Sequence, residues 1–155
     1  MLSPAWTAAL EAFDRDLVSR AAAAKTRRAY AIDAGQLAEW ASPRRVEPAT
    51  IKVRDLRRYL ETRASIWLDA GDATRALQLF DRALASNPGP SSGLLLGRAM
   101  ALIDLGRAPE AVAAFRQAVG VDVKYGDRAF LAGTVRYSAK ALARFDRLRA
   151  LAQPT

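Results

Sequence analysis

Thirteen residues, Gly71-Asp72-Ala73-Thr74-Arg75-Ala76-Leu77-Gln78-Leu79-Phe80-Asp81-Arg82-Ala83, return 35 residues later as Gly106-Arg107-Ala108-Pro109-Glu110-Ala111-Val112-Ala113-Ala114-Phe115-Arg116-Gln117-Ala118. Gly71/Gly106, Ala76/Ala111, Phe80/Phe115 and Ala83/Ala118 recur in register. A fixed period in this range marks a helical repeat, whose units cannot bury their apolar faces alone and must stack. Such arrays bind other molecules along extended concave surfaces. Two copies are fewer than normally stand alone, so other helices must cover both ends.

The rest of the chain reads as helix too. Ser3-Pro4 supplies a cap residue and a proline suited to the first turn, and Trp6, Leu10, Phe13 and Leu17 then build one apolar stripe. Ala21-Ala22-Ala23-Ala24 either continues that helix or turns it, because alanine is the best helix former. A second pattern, Tyr30, Ala34, Leu37 and Trp40, stops at Ser42-Pro43, and Arg44 to Thr50 reads as a connector. A third helix carries Leu56, Tyr59 and Leu60 and runs on through Trp67 and Leu68 to Gly71. Helices over about Thr74–Ser86, Leu94–Leu105 and Pro109–Val119 follow, with Asn87-Pro88-Gly89-Pro90 as the strongest loop signal. Gly120 and Gly126 bracket a short connector. Asp127 is expected to cap one long terminal helix carrying Phe130, Leu131, Val135, Leu142, Phe145 and Leu148. No alternating pattern of a strand occurs. The expected fold is all-α, with about seven helices in antiparallel hairpins.

Composition narrows the chemistry. With 155 residues, 51% of them hydrophobic, the chain can bury a real core in one domain or two very small ones. It has no cysteine and no histidine, which removes disulfides, thiolate metal sites and the commonest general base. No paired acids stand out, so a non-enzymatic protein without metal or cofactor is expected. No apolar run approaches the length of a membrane span. Met1 to Trp6 lacks a basic stretch followed by an apolar core, so no secretory signal and a cytoplasmic setting are expected. The net charge of +8 is uneven: residues 1–65 carry 12 basic and 8 acidic side chains, residues 66–125 carry 6 and 6, and residues 126–155 carry 6 and 2. Basic flanks suit phosphate-bearing partners through counterion release, and also simply keep a protein soluble.

Residues 57–90 resemble one copy of the tetratricopeptide repeat, a 34-residue helix-turn-helix unit. Leu60, Ala64 and Trp67 stand in its first helix, Gly71 at its turn, Ala76, Phe80 and Ala83 in its second helix, and Pro88 at its close. Residues 92–125 resemble a second copy, with Leu95, Ala99, Leu102, Gly106, Ala111, Phe115 and Ala118, and with Val123 in place of the closing proline. Small residues let paired helices approach closely, and glycine permits the left-handed conformation that ends the first helix. The resemblance implies a superhelix whose concave groove is lined by first-helix residues: Arg58, Glu61, Ser65, Leu68 and Asp69, then Leu96, Met100, Ile103 and Asp104. Some family members grip a terminal carboxylate there with Lys and Asn; Glu61 and Ser65 stand at the first such positions, so that clamp is absent. Two readings stay open, an apolar groove free for a peptide and a groove filled as core by the chain's own helices.

Residues 8–64 resemble something unrelated, the N-terminal core-binding domain of tyrosine recombinases. The carrying residues are Phe13 and Leu17, then Thr26-Arg27-Arg28-Ala29-Tyr30 with Asp33, Leu37 and Trp40, then Val53-Arg54-Asp55-Leu56-Arg57-Arg58-Tyr59-Leu60. The resemblance implies contact with duplex DNA phosphates through Lys25, Thr26, Arg27 and Arg28, with Arg57 and Arg58 secondary; the alternative is a solvated helix face. The family's Gly-x-Ser-like turn is replaced by alanines, and these residues hold nothing like its catalytic domain, so no strand cleavage is expected of them.

The expected organisation is therefore a recombinase-like helical region over 1–65 acting as an N-terminal cap, two repeats over 57–125, and a capping helix and tail over 126–155. The two resemblances overlap at residues 57–64, which raises a chimeric or engineered origin without a native ligand as a third reading. The leading expectation is an interaction module for a peptide or protein, and the second is a module contacting duplex DNA.

Overall fold

The computed structural model describes residues 1–86 and 89–154, which form helices and turns with no strand among them. They divide into two compact units, Met1–Tyr59 and Leu60–Thr155. The expected loop residue Asn87 and closing residue Pro88 lie outside the described residues.

In the first unit, α1 (Pro4–Ser19) starts where Ser3 Oγ accepts from the Trp6 N–H. The alanine run turns rather than continuing the helix. Ala21 takes φ 54°, its N–H donates to Val18 O, and the Ala22 N–H donates to Leu17 O. That pair of bonds is the closure that usually calls for glycine after a helix. The second helix, α2 (Ala24–Ala41), runs into a 3-10 turn, Ser42–Arg44, that holds Pro43. Trp6, Ala38 and Ala41 form a small core with Leu2, Leu10, Leu37, Trp40, Val46 and Ile51 against it. The Trp6 indole N–H donates to Val46 O at 2.7 Å, fixing the connector to α1.

The helix α3 (Val53–Asp69) crosses the division between the units as one unbroken element. In the second unit α4 (Ala73–Ala85), α5 (Ser92–Asp104) and α6 (Ala108–Val121) complete two hairpins. Gly71 at φ 91° and Gly106 at φ 74° end α3 and α5 identically. Their N–H groups donate to Leu68 O and Ile103 O, and the next residues, Asp72 and Arg107, donate to Trp67 O and Leu102 O. Ala64, Ala76, Ala83, Ala99, Ala111 and Ala118 are all completely buried, as close helix approach requires. Phe80 packs its ring on the bare backbone of Gly97, where any Cβ would run into it.

The C-terminal part corrects one expectation. Residues 127–151 are two pieces instead of one long helix, and α6 runs through Gly120 to Val121 before a 3-10 turn, Val123–Gly126. Asp127 caps a short α7 (Arg128–Phe130), which widens into a π turn, Leu131–Val135. Arg136 then takes the left-handed conformation at φ 61°, and the Tyr137 N–H donates across the turn to Leu131 O at 3.0 Å. Ser138 Oγ accepts from the Ala141 N–H and starts α8 (Ala139–Ala152). This chain reversal brings α8 onto α5 and α6.

Candidate functional site

The apolar lining expected of a groove is core. Leu68, Leu96, Met100 and Ile103 are 3, 0, 2 and 4% exposed and belong to the same cluster as Phe145 and Leu148 of α8, both wholly buried. Of the polar positions, Ser65 is exposed, Glu61 and Asp69 are half-buried, and Arg58 is exposed in the first unit. The apolar positions are therefore not an open floor: they lie inside the core of the second unit, which α8 joins through Phe145 and Leu148, with the Phe145 ring edge-on to Phe115 of α6 at 5.8 Å between centroids.

Arg144 is the polar centre of this contact. Its Nε–H donates to Asp104 Oδ2 at 2.7 Å, Nη1 to Asp69 Oδ1 at 3.0 Å, and Nη2 to Leu68 O at 2.8 Å. Around it, Arg147 Nη1 donates to Asp104 Oδ1 at 3.2 Å and Lys140 Nζ to Asp69 O at 2.8 Å. The Arg144 side chain is 11% exposed and that of Asp104 21%, so this pair is largely out of water. Asp69 and Asp104 are the last residues of α3 and α5, where the helix dipoles add to the attraction for a cation. A guanidinium holds a fixed fan of donors that a single ammonium cannot reproduce, which is why one arginine can engage two carboxylates and a carbonyl together.

Residues 68–132 match the family model of the tetratricopeptide repeat. The match spans less than half of the chain, beginning in the last turn of α3 and ending inside the π turn. No curated protein and no solved structure matches the chain. Tetratricopeptide repeats generally mediate protein–protein interaction and typically serve as non-enzymatic scaffolds. The recombinase-like resemblance of residues 8–64 and a junction between two families find no support in the comparisons. Among the described residues no helix is long and apolar enough to cross a membrane.

Beside the repeat helices, Glu61 and Tyr125 converge over Gly93. A Cβ on that glycine would lie 2.8 Å from Glu61 Oε1 and 3.5 Å from the Tyr125 hydroxyl. Burial, with the Glu61 charge second, pushes the Tyr137 phenol well above the usual range, and the same causes raise Tyr125. Both phenols therefore hold their protons more tightly than a free tyrosine. Tyr125 also meets Phe130 edge-on at 5.6 Å between ring centroids.

The suggested phosphate contacts are divided in their surroundings. Lys25, Thr26 and Arg28 are exposed on the first turns of α2, whereas Arg27 is half-buried and turned onto Asp14. Arg27 Nε donates to Asp14 Oδ1 at 3.1 Å, and Nη2 to both carboxylate oxygens at 2.9 and 2.8 Å. Arg57 is half-buried and Arg58 exposed, both on the part of α3 that belongs to the first unit.

Sequence reasoning picked out Asp69 and Asp104 but missed Arg144. One signal was present. Asp69 and Asp104 are one period apart, each closing the first helix of its repeat copy, and two carboxylates at equivalent positions attract a shared cation.

Proposed function

We propose that this protein is a non-enzymatic protein-interaction module whose repeat unit accepts an amphipathic helix in its inner groove, the place that α8 takes in cis. The observation that carries this reading is the convergence of Asp69, Asp104 and Leu68 O on the Arg144 guanidinium beside the buried Phe145 and Leu148. The preferred chemistry is an Arg-Phe pair followed by Leu one helical turn later, on a helix that is otherwise polar. A partner bearing that pattern competes with α8, so binding is limited by how readily α8 gives way.

The test uses the full chain, its Phe145→Ala/Leu148→Ala double variant and a fluorescein-labelled peptide copying residues 137–152. Circular dichroism first establishes that the double variant remains helical. The unaltered chain should leave the peptide free, because its groove is full. The double variant should take it up, and take up an Arg144→Ala peptide at least about tenfold less well. Equal uptake of both peptides, or none by a folded variant, refutes the reading.

A further inference from the structure

The chain reversal ahead of α8 is made by residues with no preference for reversing. Residues 127–151 read as one helix, yet a π turn and Arg136, left-handed at φ 61°, fold α8 back onto α5 and α6. A residue with a side chain is strained in that region, and the other two helix-ending turns of this unit use Gly71 and Gly106 there. The Arg136 and Tyr137 N–H groups fasten the reversal, both donating to Leu131 O. Ala132, Gly133, Thr134 and Arg136 are exposed and Val135 is half-buried, so this stretch can change course with little disturbance of the core.

The helix beyond it is seated far more firmly. Phe145 and Leu148 are wholly buried, and the Arg144 guanidinium donates to Asp104, Asp69 and Leu68 O. A second copy of the chain offers the same seat with the same contacts. A short strained connector joined to a well-seated terminal element favours exchange of that element between copies. If Arg136 turns from left- to right-handed, it joins the helical turns before it, its strain is released, and Tyr137 and α8 swing away as one body. Docked on a second copy, α8 regains every contact it left. The balance between one copy and two therefore rests on the hinge and on concentration.

We infer that α8 exchanges between two copies of this chain through a hinge at residues 132–136, each copy's Arg144, Phe145 and Leu148 closing on the other's core, Asp69 and Asp104. The partner is the chain itself. The inference rests on the groove reading only in that α8 can leave its place.

The test exploits the exposed Arg128–Asp146 ion pair, 3.0 Å long, which joins the helix ahead of the hinge to α8. The chain has no cysteine, so Arg128→Cys/Asp146→Cys supplies its only two thiols for a short bismaleimide. This variant is incubated at high concentration, its mass is measured by light scattering after size-exclusion chromatography, and it is cross-linked immediately after dilution. Species of twice the chain mass should appear and should become covalent dimers on a denaturing gel, because each thiol's neighbour then lies on the other copy. In the same background Arg136→Val, whose branched side chain opposes the left-handed region, should raise the dimer association constant at least about tenfold, and Arg136→Gly should lower it by a similar factor. Both substitutions alter an exposed position, and circular dichroism should show unchanged helix content. A chain that stays monomeric in all three forms, dimers whose cross-links all fall within single chains, or equal association of the Val and Gly variants overturns the inference. None of these outcomes bears on peptide uptake by Phe145→Ala/Leu148→Ala, so the two readings fail separately.

Discussion

Asp69 and Asp104 stand one 35-residue period apart and close on the same guanidinium, with Arg144 Nη1 3.0 Å from the first and Nε 2.7 Å from the second. Equivalent positions in two copies thus share one ligand from outside the repeat.

Removing that ligand should be costly. Arg144→Ala leaves the Asp104 side chain, 21% exposed, without its principal partner and takes one of two donors from Leu68 O, which keeps the Gly71 N–H. The expected loss is about 3 kcal/mol. Arg144→Lys keeps the charge but loses the fan of donors, and should cost about half as much. Urea denaturation followed by circular dichroism measures both. A loss below about 0.5 kcal/mol for Arg144→Ala would mean that the contact is energetically that of an ordinary surface pair.

Gly97→Ala should destabilise the protein by about 1–3 kcal/mol, because the added methyl meets the Phe80 ring inside a packed core. Gly97→Ala combined with Phe80→Leu should recover part of that loss, since the smaller side chain vacates the space. Gly35→Ala, where nothing lies nearby, is the control and should be neutral or slightly stabilising. Thermal midpoints of the four proteins distinguish a steric cause from a general intolerance of the substitution.

Alkali should weaken the fold through Tyr137. Burial raises its folded pKa above the unfolded value of 10.0, so the unfolded chain releases this proton at a pH where the folded chain keeps it. The contribution is fully present below pH 10 and is lost progressively as the pH climbs from there toward the raised folded value. Chemical-denaturation midpoints taken between about pH 8 and 11 should fall at the alkaline end, and Tyr137→Phe should make the profile flatter. An identical slope in the variant would assign the alkaline loss to other groups.

Ser138→Ala removes the oxygen that accepts from the Ala141 N–H at 3.1 Å and should cost about 1 kcal/mol. The effect is expected at one end of α8. Hydrogen exchange should speed up over residues 139–142 while α4 stays protected, and uniform acceleration across the second unit would contradict a local cap.

Much of the repeat was legible because it rests on residues with one physical use. Gly71 and Gly106 end helices in the left-handed region, and the paired alanines sit where backbones approach. The turn at Arg136 was not legible, because arginine carries no preference for φ 61° and the chain around it reads as uninterrupted helix. The bond from the Tyr137 N–H to Leu131 O and the Ser138 cap outweigh that helical preference. Asp69 and Asp104 were both named as groove positions through the resemblance to the tetratricopeptide repeat. Their partner was not, since an arginine in a basic terminal helix looks like any solvated charge until folding brings two carboxylates to it. The Phe80–Gly97 contact escaped for a similar reason: a glycine within a helix says nothing about which ring lies over it.

A stack of identical hairpins behaves as a line, each unit coupled only to the next and free to fray from its ends. The position 35 residues before Arg144 is Pro109, so the repeat itself offers no equivalent of this side chain. By joining the end of α3 to α8, Arg144 and Lys140 tie the first helix of the array to the last. The line becomes a closed circuit, in which neither end can open without the other, and the unit should melt as a single cooperative block.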